Sequence, residues 1–161
     1  MPQGAHLRVL NMKKPIYLAL LLTACVTHEY GTTYLGIDFL SKSEIALAVV
    51  KPDFEKHVKP ILEVRCVDCH NQQALPGKLN LTDRRSALTP TSTGHIAIVP
   101  YHPEHSPLLG RIDQAHGHLS SMPPVGEKIT KNEVAILKQW IALGAPWPAG
   151  KSGKLRVREV R

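Results

Sequence analysis

The sequence predicts one small domain of short helices strung between long loops, on three observations. The chain has 161 residues, room for one core and not two. Thirteen prolines and 11 glycines break it too often for long regular elements. Where apolar residues recur with a clear period, that period is helical, and the runs open on capping residues such as Ser106 and Thr130. Hydrophobic content of 43% suits a globular protein, although only 5% of residues are aromatic.

The first segment lies ahead of that domain. From Met12 the chain reads MKKPIYLALLLTAC, two lysines, an apolar stretch from Ile16 to Leu22 and small residues up to Cys25. That order is a secretory signal's, and seven apolar residues are too few to span a bilayer. A buried helix opening at Pro15 is the competing reading. LTAC resembles the lipobox of bacterial lipoproteins, which implies a signal over residues 1–24 and Cys25 as the lipid-carrying first residue of the mature chain. A cleaved signal with an incidental Cys25 is the plainer alternative. Residues 1–11 precede the natural beginning of the signal, so either Met1 or Met12 can be the start.

Residues 25–52 read as a tether, because VTHEYGTTYLGIDFL has neither helical nor alternating periodicity. A short helix can open at Ser43 and run through EIALAVV to Lys51, where Pro52 stops it. The folded domain is expected over 53–148. FEKHVKPILEVR sets Phe54, Val58, Ile61, Leu62 and Val64 on one helical side, with Pro60 bending or dividing it. PGKLNL is a turn with a short apolar alternation, and TDRRSAL one helical turn capped by Thr82 or Asp83. A loop follows, with an apolar insert at Ile96, Ile98 and Val99. Ser106 and Pro107 open the helix SPLLGRI as cap and first-turn proline. After the loop DQAHGHLSSMPPVGEK comes the best helix, where Thr130 and Glu133 form a capping box. Its stripe is Val134, Ile136, Leu137, Trp140 and Ile141, and Gly144 with Pro146 ends it. Residues 149–161 are expected to be a solvated basic tail.

Twenty Lys and Arg against 13 Asp and Glu give a formal charge of +7. Such a balance fits nucleic acid, a membrane surface or an acidic partner. Position removes the first. Arg8, Lys13 and Lys14 lie in the signal, leaving 17 basic and 13 acidic residues, or +4, and much of the excess gathers in KSGKLRVREVR. No basic stripe interleaves with aromatics, so no nucleic-acid partner is expected.

The chemistry gathers at CVDCH. Cys66, Cys69 and His70 form C-x-x-C-H, the attachment signature of c-type haem. Two thiols three residues apart can each add to a vinyl group on one porphyrin edge. The adjacent histidine is then carried to the iron as a neutral imidazole ligand. Chance occurrence in a chain this long is on the order of one in a thousand. A thioredoxin-like pair would want βαβ alternation, which is absent. A zinc site would want a second ligand pair, and a disulfide would leave His70 unexplained.

With His70 proximal, the sixth position decides between electron transfer and catalysis. Candidates are Met122, His95, His102, His105, His116 and His118. Met122 sits in LSSMPPVGEK, where two prolines stiffen the backbone beside its sulfur. Pro60 or Pro76 can offer a carbonyl to the His70 ring, and Arg84, Arg85 or Arg111 can pair with propionates. Tyr101 and Trp140 can pack on a porphyrin, or serve as surface and core.

Four segments, FEKHVKPILEVRCVDCHN, GKLNLTDRRSAL, IVPYHPEHSPLLGRI and SMPPVGEKITKNEVAILKQWIALGAPWP, together resemble the planctomycete-type cytochrome c domain, over roughly residues 53–148. The resemblance implies an all-α cytochrome c-like fold around one covalently bound haem c. It also implies that the helix before the haem motif crosses the helix carrying Trp140, and that His70 and Met122 are the axial ligands. GKLNL departs from the family's frequent double glycine, and the histidines of AHGHL precede the methionine loop. The expected protein is a monohaem carrier of single electrons, exported to the periplasm or cell surface and held to a membrane by lipid. Its donor and acceptor proteins are unnamed by the sequence. A haem enzyme of peroxidase-like or small-ligand-activating type, with an open sixth site beside His95 or His116, is the rival. Haem as a structural staple of a sensor or interaction module is a third reading.

Overall fold

The computed structural model describes residues 36–114, 121–124 and 128–158, all within one unit, Thr33–Arg161. The signal, Cys25, His116 and His118 lie outside the described residues. Every regular element among those described is helical, as expected of an all-α fold: α1 Lys42–Val50, α2 Lys59–Arg65, α3 Arg84–Ala87, α4 Pro107–Ile112 and α5 Lys131–Ala142. A π-helical turn, Phe54–Val58, leads into α2, and 3-10 turns stand at Pro76–Lys78 and Pro103–His105.

Helix α1 starts two residues earlier than Ser43 suggested. Ser41 has a glutamate three residues on, so Glu44 N–H donates to Ser41 Oγ (3.3 Å) while Ser41 N–H donates to Glu44 Oε2 (2.8 Å). The helix ends at Val50, before Pro52. It packs on α5, and Ala48 and Ile37 are buried. From Gly36 on, the segment expected as a tether is therefore part of the folded body. Periodicity hid this because apolar residues lie on both sides of α1, with Leu47 and Val50 exposed opposite Ala48.

Asp53 caps the next element by accepting from Lys56 N–H (2.8 Å). Pro60 has no N–H to give to the carbonyl four residues back. The chain widens ahead of it: Val58 N–H donates to Asp53 O (3.2 Å) and Lys59 N–H to Phe54 O, each five residues back. Pro60 then falls in the first turn of α2, where no N–H is needed. Phe54, Val58, Ile61 and Leu62 are buried as the pattern requires, but Val64 is only half-buried and Glu63 is buried in its stead.

The π-helical turn packs on α5, whose Ile136, Leu137, Trp140 and Ile141 are fully buried. Phe54, Trp140 and Trp147 form an aromatic cluster with centroids 4.8–6.2 Å apart. Both indoles find carbonyls, Trp140 Nε1 at Pro146 O (3.0 Å) and Trp147 Nε1 at Gly153 O (2.6 Å). Helix α5 ends at Gly144, whose positive φ of 91° and contact with the Tyr101 ring exclude a side chain.

The basic tail is folded as far as residue 158. Leu155 is 6% exposed and its N–H donates to Thr82 O (2.9 Å). Arg156 N–H donates to buried Glu63 Oε1 (2.9 Å), Lys59 Nζ donates to Ser152 O (2.9 Å), and Arg158 Nε donates to Asp68 Oδ2 (2.6 Å). Carboxylates on α2 and just beyond it need partners, and the tail carries the cations. Leu155→Ala is expected to cost about 2–4 kcal/mol, read as a lower urea midpoint. A solvated tail would show no change.

Candidate functional site

The haem motif continues α2. Cys66 N–H donates to Leu62 O (3.1 Å), and so does Val67 N–H (2.9 Å). One further turn follows, with Cys69 N–H (3.2 Å) and His70 N–H (2.9 Å) both donating to Cys66 O. Residues three apart on such a turn share a side. Val67 is fully buried and anchors the turn from beneath, while Leu81 N–H donates to His70 O (2.9 Å).

Asn71, which sequence reasoning did not single out, shapes the exit. Its Nδ2 donates to Val67 O (2.9 Å) and Asp68 O (3.0 Å), while its Oδ1 accepts from Gln73 N–H (2.8 Å) and Ala74 N–H (2.9 Å). The residue is 2% exposed, so every capacity of the amide is used where no water can substitute. An asparagine directly after the motif was the available signal, since its side chain readily mimics a backbone turn.

Cys69 is exposed and Cys66 half-buried, and no disulfide joins them. Burial, with the Glu133 carboxylate adding to it, pushes the Cys66 thiol up to about 12, so this sulfur keeps its proton at neutral pH. The His70 imidazole is pushed below its ordinary value, chiefly by burial, with the Leu79 backbone opposing in part. Its Nδ1 is buried without a partner at hydrogen-bonding geometry, although Leu79 lies near enough to act on it. Neither Pro60 nor Pro76 fills the role expected of them. Two free thiols and a histidine held neutral on one turn are the donor set that covalent haem requires.

A buried ion pair holds this turn to α5. Arg65, the last residue of α2, donates from Nε to Glu133 Oε1 at 3.1 Å, the two side chains being 6% and 0% exposed. Glu133 Oε2 accepts from Thr130 N–H (2.7 Å) and Glu133 N–H donates to Thr130 Oγ1 (3.2 Å), completing the expected capping box. Gly36, at φ 66°, lies so close that a Cβ would run into Glu133 Oε1.

Met122 is half-buried and packs against the core. Its N–H donates to Arg111 O (3.0 Å), fastening residues 121–124 to the end of α4. The side chain lines a cavity of about 300 Å³ with Ile112, Ile129 and Val134, among others. Cys66, Cys69 and His70 stand together on one turn and are not in that lining.

His95, His102 and His105 are exposed. So are Arg84, Arg85 and Arg111, the guanidiniums considered for propionates, while Tyr101 is 70% exposed and Trp140 fully buried. Ser106 does not cap α4 with its side chain; its Oγ accepts from Val99 N–H (2.9 Å) and donates to His102 O (3.0 Å), bracing the preceding loop.

Residues 66–126 match the protein family described as Planctomycete cytochrome C. No curated protein and no solved structure matches the chain. Domains of this family are typically exported, and among the described residues no helix is long and apolar enough to cross a membrane.

Proposed function

We propose that this chain, which carries a planctomycete-type cytochrome c domain and so binds haem covalently, is a monohaem carrier of single electrons between redox proteins outside the cytoplasm. The observation that carries the reading is the CVDCH turn, with two free thiols and a half-buried imidazole that favours its neutral form on one turn. Cys66 and Cys69 each form a thioether, and His70 supplies the proximal nitrogen. Haem held there supplies a one-electron iron couple. Met122, on a loop fastened to α4 and stiffened by Pro123 and Pro124, is the sixth ligand in this reading. A sulfur ligand favours the reduced state and raises the potential. Docking at the haem edge is helped by the net positive charge that remains after the signal, which suits acidic partners and weakens with salt. Cys25 carries the lipid anchor that keeps the domain at a membrane in the periplasm or at the cell surface.

Met122→Ala in the haem-loaded protein tests the assignment. The expected result is loss of the weak far-red band of sulfur-ligated ferric haem, together with a lower midpoint potential. An unchanged spectrum returns the sixth position to a histidine. A ferric parent already high-spin would support the rival haem enzyme instead. Electron carriage is tested by stopped-flow reduction and reoxidation with small redox couples, where full cycling without substrate turnover is expected.

A further inference from the structure

Apart from the haem motif, one cluster of metal-competent side chains stands among the described residues, formed by His102, Glu104 and His105. One ligand atom from each lies within 4.8 Å of the others. His102 Nδ1 is 3.2 Å from Glu104 Oε1, and His105 Nδ1 is 3.5 Å from the same oxygen. A tetrahedral zinc ion with bonds of about 2.0–2.1 Å separates its ligand atoms by roughly 3.3–3.5 Å. The separations of 3.2 and 3.5 Å are close to that size.

The backbone supports this arrangement. His102 to His105 occupy a 3-10 turn opened by Pro103, entered from Tyr101 at φ 68°. Ser106 Oγ donates to His102 O at 3.0 Å and accepts from Val99 N–H, tying the end of the turn to its beginning. The two imidazoles stack, with centroids 5.6 Å apart and planes 26° from parallel, and the Nδ1 of each faces the same Glu104 oxygen. Its own backbone N–H, then a hydrogen bond with His102 and the nearby charge of His105, hold the Glu104 carboxyl below the usual carboxylate range. Tyr101, on the N-terminal flank, rests on Gly144 at the end of α5, so the turn is seated on the core although its ligands face solvent.

We propose that His102, Glu104 and His105 bind a divalent cation of zinc type, as a site independent of the haem. Two imidazoles and one carboxylate select a borderline cation over Ca²⁺ or Mg²⁺, which prefer all-oxygen sets. Three protein ligands leave the fourth position to water or to a side chain of a docked protein. The set belongs to the sequence HPEH, apart from Cys66, Cys69 and His70 in the chain.

Zn²⁺ titrated calorimetrically into the haem-loaded protein tests the site. The expected result is one saturable equivalent that Ca²⁺ and Mg²⁺ do not displace, with no change in the haem spectrum. His105→Ala and Glu104→Ala are each expected to weaken that equivalent at least about 10-fold, while His95→Ala leaves it unaltered. All three side chains are exposed, so these variants fold as the parent does. The proposal fails if the parent takes up no stoichiometric Zn²⁺, or if either ligand variant binds as tightly as the parent. Failure of the electron-carrier reading would appear in the optical and redox measurements and leave this titration untouched.

Discussion

A Cys66→Ala/Cys69→Ala double variant, exported and matured beside the parent, is expected to yield protein that keeps no haem through denaturing electrophoresis. The parent keeps it. Each single variant retains one thioether and is expected to give intermediate, partly extractable haem. The two single variants should differ, because the sulfurs sit in different surroundings. Cys69 is exposed and belongs to the last turn before His70, whereas Cys66 is packed beside the Arg65–Glu133 pair with its thiol raised to about 12. His70→Ala with both cysteines intact separates attachment from ligation: a covalent but high-spin pigment is the expected product. Mass spectrometry and absorption read both outcomes, and a double variant that retains covalent pigment would overturn the assignment of the motif.

Glu133→Ala is expected to lower the free energy of unfolding by about 3–5 kcal/mol, because the enclosed Arg65 guanidinium loses a carboxylate that is itself fully buried. Typical domains are stable by only about 5–15 kcal/mol, so one carboxylate decides much of the margin. The other oxygen of the same carboxylate, Oε2, completes the α5 capping box, and its loss also frays the start of that helix. Arg65→Met combined with Glu133→Leu is expected to recover most of the loss, since apolar replacement of a whole buried pair is often neutral or better. Chemical denaturation of the parent, Arg65→Met, Glu133→Leu and their double variant supplies the cycle. A single-variant cost below about 1 kcal/mol would mean that the pair is solvated in solution.

How much of this was legible in advance depended on sequence distance. The Thr130–Glu133 box, the Asp83 cap and the buried stripe of α5 are local, and spacing alone revealed them. Pro60 announced a break before α2, although no pattern distinguishes a π-turn from a simple end. The CVDCH turn was readable because its three functional side chains are consecutive or three apart. Glu133 was seen only as a capping residue; its second duty toward Arg65 is a contact across 68 residues, which no periodicity encodes. The buried Glu63 was missed for the same reason, since its partner Arg156 lies 93 residues away. Composition made residues 149–161 look solvated, yet Leu155, Arg156 and Arg158 meet a groove, a carboxylate and the haem motif's own Asp68. Tyr101 shows the converse: an aromatic that composition offers to a cofactor lies over a glycine at a helix end.

The pairing of Arg158 with Asp68 spans 90 residues, and with it comes a rule about timing. A chain that emerges amino end first delivers its two thiols long before the arginine that clasps the peptide between them. Throughout that interval the segment is without this clasp, and it is secured only once the chain as far as Arg158 has followed. Closure is therefore a late event in the chain's history, because contacts of such long range form only when both ends are present.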